Sequence, residues 1–310
     1  MSLRVLVTGV GGFVGGHLSQ VLAAATDWQL HTVSRAPAAG PRHIQLDLSQ
    51  ATDAQLHALL ANVDLCYHVA GMAHHEALSD ADGSRLRAFN VTLTERLYRA
   101  ALGAGVGSFV WLSSSKVLGD GSTSPLPVTA PYAPVGAYAK SKMLGEQALL
   151  SCAQAQTRLC IVRPPLIYGP GVGANFLSLV QVALGRWPVP LGQARGLRSF
   201  VGVANLCSAL VQCAKAPAGT YHVCDAQPLS VADLIAGIQA AANHQGRLLN
   251  VPAGLLRLAL QCVGRGAVYE RLFGSLLLDA SDSCRRLQWQ PPYSSQAQLQ
   301  ETVSWYRSQR

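Results

Sequence analysis

The sequence predicts an α/β fold with a doubly wound parallel sheet, helices on both faces, and a smaller mixed α/β domain at the C-terminal end. Two observations carry this prediction. Short apolar runs alternate with helical patterns from Leu3 to Arg163, and glycines cluster at the first strand-to-helix junction. The chain has 310 residues, of which 49% are hydrophobic and 13% charged. It is therefore long and apolar enough to bury a sheet on both faces.

The apolar runs are interpreted as buried parallel strands, because they are short, rich in β-branched residues and bounded by turn residues. They are Leu3–Thr8, Gln29–Ser34, His43–Leu46, Val63–Val69, Ser108–Leu112 and Arg158–Arg163. Helical spacing lies between them, at His17–Ala25, Asp53–Leu60, Ser84–Gly103 and Ala137–Gln154. Strands alternating with helices in this way are typical of a parallel sheet.

The alternation ends after residue 163, where prolines and glycines interrupt the chain. We expect residues 1–165 to form the first domain, and residues from about 201 to 225 to return to it, because Thr220–Cys224 has a strand pattern. Residues 166–200 and 226–310 then form the smaller domain. Its later helices are predicted at Val231–Ala242 and Leu255–Val263.

Composition excludes several classes of protein. No apolar stretch reaches the roughly 18 residues of a membrane span, and we expect a cytoplasmic protein without a signal peptide. The eight cysteines include no C-x-x-C pair, and no histidine or cysteine spacing predicts a metal site. The formal net charge is +8, but basic residues occur singly. A dispersed positive charge of this kind suits a small polyanion better than nucleic acid as a ligand.

The glycine cluster predicts a dinucleotide site. Strand one ends at Thr8, and Gly9, Gly12 and Gly15 follow at intervals of three around Phe13 and Val14. Glycine permits the tight turn, the approach of the backbone to a pyrophosphate and close packing of helix on strand. The helix N-terminus supplies N–H donors and a positive dipole. This is the arrangement of a Rossmann nucleotide-binding domain.

The end of the second strand separates the two nicotinamide cofactors. NAD sites usually carry Asp or Glu there for the ribose 2′-hydroxyl, whereas an Arg accommodates the 2′-phosphate of NADP. This chain has Ser34-Arg35 and no carboxylate before Asp47. The pattern favours NADP(H), with NAD(H) as the alternative. Asp47-Leu48, at the end of the third strand, is placed for the adenine edge.

A candidate catalytic set follows the fifth strand. Tyr138 and Lys142 are four residues apart on a predicted helix, so the phenol and the ammonium share one face. A neighbouring ammonium stabilises the phenolate, which lets the phenol exchange a proton at neutral pH. Ser113 and Ser114 come directly after the strand, where a hydroxyl can bond the same substrate oxygen.

With these motifs, the chain resembles the extended short-chain dehydrogenase/reductase family, in its NAD-dependent epimerase/dehydratase type. Within that family it is similar to the branch that acts on nucleotide sugars, namely UDP-hexose 4-epimerases and UDP-4-keto-6-deoxy-N-acetylhexosamine reductases. The matching segments are Thr8–Gly15, Asp47-Leu48, His68–Gly71, Asn90-Val91, Leu112–Ser114, Tyr138–Lys142, Arg163-Pro164, Tyr168–Gly171, Arg198–Leu206 and Asp279–Ser281. They extend over nearly the whole chain.

The resemblance implies roles for individual residues. Tyr138 exchanges a proton with the sugar C4 oxygen, Lys142 lowers the pKa of Tyr138 and binds the nicotinamide ribose, and Ser114 orients the C4 oxygen, with Ser113 as the alternative. Further residues are implied in binding. For the cofactor these are Val69, Ala70, Gly71, Asn90, Ser113 and Pro164; for the UDP-sugar they are His74, Asn175, Arg198 and Arg271. The family's Val-Tyr-Gly after the serine is Val117-Leu118-Gly119 here, so one aromatic group is missing.

Three functions remain open at this point. The first is a UDP-4-keto-6-deoxy-hexosamine 4-reductase of O-antigen or polysaccharide biosynthesis, favoured by Arg35. The second is a UDP-glucose or UDP-N-acetylglucosamine 4-epimerase, which uses the same triad and usually keeps NAD bound. The third is a non-catalytic dinucleotide sensor, which has no need of an intact triad. The family pairs the helices predicted at Ser84–Gly103 and Ala137–Gln154 into a four-helix bundle, so a homodimer is expected.

Overall fold

The structure is a computed structural model that describes residues 2–24, 28–37, 42–73, 80–262, 264 and 266–310. The side chains of residues 80–82, 174, 175, 267 and 271 are outside this description. Within it, seven parallel strands form the main sheet, in the order β10-β6-β5-β4-β1-β2-β3. The strands are β1 Leu3–Thr8, β2 Trp28–Ser34, β3 His43–Gln45, β4 Leu65–His68, β5 Ser108–Leu112, β6 Arg158–Arg163 and β10 Gly219–His222. The predicted doubly wound α/β fold is confirmed.

Two short sheets lie outside the main one. They pair β7 Leu166–Tyr168 with β9 Phe200–Gly202, and β8 Leu197–Arg198 with β11 Leu229–Ser230. The helices of the first half are α1 Phe13–Ala23, α2 Asp53–Leu60, α3 Asp80–Arg87, α4 Thr94–Gly103 and α5 Gly136–Ser151. Those of the second half are α6 Ala174–Ala183, α7 Val203–Cys213, α8 Val231–Ala241, α9 Ala253–Cys262, α10 Gly266–Phe273, α11 Ser281–Leu287 and α12 Ser295–Ser308.

The main sheet is covered on both faces because its strands are apolar on both sides. Val5 and Val7 of β1 point into one core, which α1 and α7 complete, whereas Leu6 points into the opposite core with α2, α4 and α5. All three side chains are fully buried. Alternate residues of a strand face opposite sides of the sheet, so a continuous apolar run is what a doubly covered strand requires.

The register brings the carboxyl ends of the central strands to one edge. Thr8 pairs with Val33 on one side and with His68 on the other, and Leu112 pairs with Val162. The residues that follow these positions therefore leave the sheet side by side. In open α/β sheets this edge is where ligands bind.

A smaller core fills the second half. It is built by α6, α8 and α12, with Phe176, Ile235 and Val303 buried in it. The buried carboxylate of Asp225 links this unit to the main sheet region, accepting hydrogen bonds from the Tyr168 hydroxyl at 2.7 Å, among other donors. Among the described helices none is long and apolar enough to span a bilayer.

Two details differ from the predicted elements. The helix expected over Ser84–Gly103 is interrupted by a π-helical turn, Ala88–Leu93, between α3 and α4. Helices α6, α7, α10, α11 and α12 were not predicted by periodicity. The strand pattern at Thr220–Cys224 is confirmed as β10, which pairs with β6.

Candidate active site

The glycine turn after β1 leaves no room for a side chain at Gly9 or at Gly15. Gly9 has φ +79°, and a Cβ there would lie 2.6 Å from the Cα of Ala70. A Cβ on Gly15 would lie 2.1 Å from the carbonyl oxygen of Gly9. Both distances are shorter than any tolerable contact between these atoms. Position 9 must be glycine because a side chain there would collide with the loop after β4. Position 15 must be glycine because a side chain there would collide with the turn itself.

The first turn of α1 is built to receive an anion. Its N-cap is Gly12, which supplies no side-chain acceptor, so the N–H groups that begin the helix keep their capacity for a ligand. The side chains of Phe13 and Val14 pack into the hydrophobic cores. Val14 is buried, so it can contact a cofactor through its backbone only, whereas Phe13 is partly exposed. This cradle fits a dinucleotide pyrophosphate.

The end of β2 lies beside the glycine turn. Val33 pairs with Thr8, and Ser34 and Arg35 continue past that pair. The Ser34 hydroxyl donates to the carbonyl oxygen of Ala36 at 2.7 Å, while Arg35 is exposed. The guanidinium is thus free to meet a phosphate at the point where a carboxylate would otherwise stand.

The predicted adenine residues are only partly available. Asp47 accepts hydrogen bonds from the backbone N–H and hydroxyl of Ser49, at 2.9 and 2.7 Å. These bonds hold the pKa of Asp47 below its usual value, and the Arg35 charge adds to this effect. The Leu48 side chain is buried in the core. Leu48 can therefore reach an adenine through its backbone only.

The loop after β4, Val69–Gly71, is held by Asn90. The Asn90 side chain donates to the Met72 carbonyl at 2.9 Å and accepts from the Met72 N–H at 3.0 Å. A second donor hydrogen bond reaches the Ser141 hydroxyl at 2.9 Å. Because these bonds use both of its N–H donors, Asn90 fixes the loop that faces the cofactor site, and its implied contact with the cofactor stays a prediction.

Helix α5 presents Tyr138 and Lys142 on one face, one turn apart. The Lys142 Nζ donates to the Leu112 carbonyl oxygen at 2.8 Å, so it lies against the end of β5. It also approaches the loop after β4, since a Cβ on Gly71 would lie 3.1 Å from it. Ser114 caps the short 3₁₀ turn Ser115–Leu118 that follows β5.

Burial shifts the pKa values of both α5 residues. It raises the pKa of Tyr138, and a hydrogen bond from the Ser114 side chain opposes part of that rise. It lowers the pKa of Lys142 to about 8, against the opposing effect of the Glu146 charge. The serine and the phenol thus interact directly, and the ammonium lies one turn farther along the same helix. Such a set can exchange a proton with a carbonyl or hydroxyl oxygen placed between Ser114 and Tyr138.

Hydrogen bonds tie Ser113 and Pro164 to neighbouring segments, and their implied contacts with the cofactor stay predictions. The Ser113 hydroxyl donates to the Glu146 carboxylate at 2.5 Å, so its side chain is turned away from the cofactor edge. The Pro164 carbonyl accepts the Ser115 N–H at 2.9 Å, which ties the end of β6 to the serine turn. Of the two serines, Ser114 is therefore the one available to substrate.

The candidate substrate residues of the second half are less defined. Arg198 donates to the carbonyl oxygens of Gly274 and Asp120, at 3.0 and 3.2 Å, and so joins a segment of the first half of the chain to one of the second half. His74 lies outside the described residues, as do the side chains of Asn175 and Arg271. Their expected contacts with a nucleotide sugar stay predictions.

Two features of the site were not among the predicted residues. His68, wholly buried, bridges Thr8 and Thr94 through its two ring nitrogens, at 2.8 and 3.1 Å. Glu146 lies one turn beyond Lys142 and is also wholly buried. The spacing of Glu146 from Lys142 was the one signal in the sequence that could have indicated it. In the part of the chain that the structure describes, no group of three His, Cys, Asp or Glu residues is arranged to hold a metal ion.

Fold and site together define a nicotinamide-dinucleotide enzyme with its reacting groups at the carboxyl edge of a parallel sheet. The profile of the family described as "NAD dependent epimerase/dehydratase family" matches residues 5–224. The chain belongs to this family, and it is an enzyme of the short-chain dehydrogenase/reductase type that the motifs indicated.

Two curated relatives and one solved structure illustrate the similarity. The chain is 30% identical over 314 residues to UDP-glucose 4-epimerase of Vibrio cholerae, with 98% of this chain and 95% of that protein covered. It is 29% identical to GDP-6-deoxy-D-mannose reductase of Pseudomonas aeruginosa, with coverage of 83% and 86%. The crystal structure of UDP-glucuronic acid 4-epimerase from Bacillus cereus in complex with NAD is similar with a TM-score of 0.80, 18% identity and coverage of 99% and 97%. That structural likeness shows the fold.

Proposed function

We propose that the protein is an NADPH-dependent reductase that converts the C4 ketone of a UDP-linked 4-keto-6-deoxyhexosamine to the alcohol. The observation that carries this proposal is the end of β2, where Ser34 and exposed Arg35 stand beside the glycine turn and no carboxylate is present. An arginine there suits a 2′-phosphate. NADPH is an exchangeable reductant, which favours net reduction.

The chain's own groups account for the proton half of the reaction. NADPH, held at the glycine turn of Gly9, Gly12 and Gly15, would supply the hydride for the C4 carbon when bound. Tyr138 gives its phenolic proton to the C4 oxygen as that oxygen gains charge, and Ser114 donates a hydrogen bond that orients it. Lys142, held on the Leu112 carbonyl, places a positive charge beside the phenol and stabilises the phenolate that remains. Solvent then returns a proton to Tyr138.

The nucleotide diphosphate is assigned to the second half of the chain. Arg198 has five N–H donors, and the contacts with Gly274 and Asp120 leave some of them for a phosphate. Together with Asn175 and Arg271 it forms the proposed diphosphate grip, and His74 is proposed to face the sugar. The relative named GDP-6-deoxy-D-mannose reductase supports reduction of a nucleotide-linked sugar.

The second candidate is a UDP-hexose 4-epimerase. It is favoured by the relative named UDP-glucose 4-epimerase, which is similar over nearly the full length of both chains. Epimerisation uses the same three residues in both directions: Tyr138 first accepts the proton of the C4 hydroxyl and later returns it. The difference lies in the cofactor, which an epimerase retains and a reductase consumes.

The deciding experiment mixes the purified chain with a UDP-4-keto-6-deoxyhexosamine and NADPH, and follows the absorbance of the reduced nicotinamide. A parallel reaction contains UDP-glucose, NAD⁺ and no reductant, and is analysed for UDP-galactose. Stoichiometric loss of NADPH, without interconversion in the parallel reaction, supports the reductase. Interconversion without NADPH consumption overturns it in favour of the epimerase.

The remaining expectations are proposals as well. We propose the two-domain division given above and a homodimer that pairs α3 and α4 with α5. Light scattering of the purified chain tests the dimer, and a monomeric mass contradicts it. The cytoplasmic location and a role in O-antigen or polysaccharide biosynthesis stay predictions.

A further inference from the structure

A buried carboxylate lies directly behind the reacting groups. Glu146 has no exposed surface, and it follows Lys142 by four residues and Tyr138 by eight on α5. Residues at this spacing lie along one face of a helix. The reaction described above gives Glu146 no chemical part, yet several donors converge on its carboxylate inside the protein.

Three donors from other segments meet on the Glu146 carboxylate. The Ser113 hydroxyl donates to Oε1 at 2.5 Å, and the Tyr132 hydroxyl donates to Oε2 at 2.8 Å. The Arg163 guanidinium donates through Nε at 2.9 Å to Oε1 and through Nη2 at 2.5 Å to Oε2. The Arg163 side chain is itself buried, so the ion pair is shielded from water.

Each of the three residues that donate to Glu146 is close in sequence to a residue or helix of the candidate site. Ser113 precedes Ser114 at the end of β5, and Arg163 precedes Pro164 at the end of β6. Tyr132 lies in the segment that enters α5, and Arg163 also donates to Val128 of that segment at 2.9 Å. One carboxylate therefore ties together two strand ends and the approach to the helix that presents Tyr138.

We propose that Glu146 is a positioning residue: through Ser113, Arg163 and Tyr132 it fixes the distance and direction of Ser114 relative to Tyr138 and Lys142. This inference rests on the proposed function, because the reacting groups are those assigned there. A buried ion pair is seldom a net source of stability compared with apolar side chains. The Glu146–Arg163 pair is thus better explained by its alignment of the ends of β5 and β6 with α5. Its negative charge also favours the ammonium form of Lys142.

Two substitutions test the positioning role of Glu146, one by removing a single hydrogen-bond donor and the other by removing the charge. Ser113→Ala removes one donor, changes no charge and keeps the Glu146–Arg163 pair. Glu146→Gln removes the charge and leaves Arg163 unpaired, so its folding is checked by thermal unfolding. The matched control is Asp225→Asn, which neutralises another buried carboxylate with several donors, away from α5.

We expect Glu146→Gln to lower kcat by about tenfold or more and Ser113→Ala by a few-fold, because small misplacements of reacting groups act on the chemical step. KM and the Kd for NADPH should stay within about twofold of the parent, since no binding group is removed. Asp225→Asn should lower the melting temperature and leave kcat unchanged. If both site variants lose melting temperature while keeping the parent kcat, Glu146 has a structural role only and the proposal is overturned.

A measurement without a sugar keeps this inference separate from the proposed function. In the NADP⁺ complex of the chain with ¹³C-labelled tyrosine, the Tyr138 phenol signal is assigned by its absence in Tyr138→Phe. The Ser114 hydrogen bond lowers the pKa of Tyr138, so Ser114→Ala should raise the midpoint of that signal. Ser113→Ala should raise it in the same direction. An unchanged midpoint in Ser113→Ala refutes the positioning role, whereas failure to turn over any UDP-sugar refutes the proposed function alone.

Discussion

The Nζ of Lys142 donates a hydrogen bond of 2.8 Å to the carbonyl oxygen of Leu112, the last residue of β5. The same ammonium lies 4.8 Å from the centre of the Trp111 ring. The helix and the strand are thereby joined at the base of the site. Burial at this junction lowers the pKa of Lys142 to about 8 and makes its charge sensitive to pH in an accessible range.

The first prediction is that kcat for reduction falls as the pH rises through about 8. Below that value Lys142 carries its charge and supports the phenolate that Tyr138 becomes; above it the amine is neutral. The pKa of Tyr138 is raised by burial, so the phenol keeps its proton over this interval and Lys142 sets the descending limb. The measurement is kcat at saturating NADPH between about pH 6 and 10. A profile that is flat across pH 8 contradicts the assignment.

The second prediction concerns the phenol itself. Tyr138→Phe should lower kcat by about 10²- to 10⁴-fold, the usual contribution of a positioned general acid. NADPH binding, followed by fluorescence titration, should be unchanged. Tyr293→Phe is the control, because Tyr293 is about half exposed, and the contacts that tie it to Asn205 are made by its backbone. Comparable turnover by Tyr138→Phe and the control would remove Tyr138 from the mechanism.

The first half of the fold was predictable because its signals are local. The apolar run of β1 alternates between two cores, as Val5 and Leu6 do, and this requires a sheet covered on both sides. The Tyr138–Lys142 spacing is likewise a property of one helix. These features follow from periodicity and from the turn chemistry of glycine.

Other features depend on contacts between distant segments. Glu146 is defined by Ser113 and Arg163, which lie 33 and 17 residues away along the chain. The π-helical turn that contains Asn90 packs so closely on α5 that a Cβ on Gly145 would lie 2.5 Å from the Asn90 carbonyl oxygen. No local pattern encodes such a contact, so the resemblance indicated Asn90 but not what its amide does.

The third prediction separates the glycines of the turn. Gly15→Ala should destabilise the fold and abolish dinucleotide binding, because the new Cβ would lie 2.1 Å from the Gly9 carbonyl oxygen, a backbone atom that cannot move aside locally. Gly11→Ala is the matched control for stability, since a Cβ there has no neighbour within 4 Å. Thermal unfolding compares the two variants. Equal melting temperatures would mean that the turn is looser than its geometry indicates.

The fourth prediction concerns the choice of cofactor. Arg35→Ala should raise the Kd for NADPH by about tenfold and change the Kd for NADH by much less, because only NADPH offers a 2′-phosphate to the guanidinium. Arg195→Ala is the control, as another arginine with an exposed side chain, whose partner is Asp233. Both constants are obtained by fluorescence titration at one ionic strength. Equal effects of Arg35→Ala on the two cofactors would argue for NAD(H) instead.

The fifth prediction follows from a buried histidine. His68 lies between the hydroxyls of Thr8 and Thr94, and burial together with the Lys142 charge lowers its pKa to about 3. The folded state therefore keeps His68 neutral, whereas the unfolded chain takes up a proton below the ordinary value of 6.5. Unfolding then binds a proton, so stability should fall as the pH drops below about 6.5. His222, also buried and with its pKa lowered to about 4, acts in the same direction.

Substitution isolates the contribution of His68. A histidine that stays neutral in the folded state lowers the free energy of unfolding by at most about 1.4 kcal/mol for each pH unit below its unfolded pKa. Between pH 6.5 and 5 this is at most about 2 kcal/mol. His68→Gln should lower the free energy of unfolding at pH 7, yet lose less of it on going to pH 5 than the parent does. His57→Gln, at an exposed position, should keep the parent dependence. Urea unfolding at the two pH values measures each difference. If the loss is the same in His68→Gln as in the parent, another group causes the acid sensitivity, since His222 is present in both proteins.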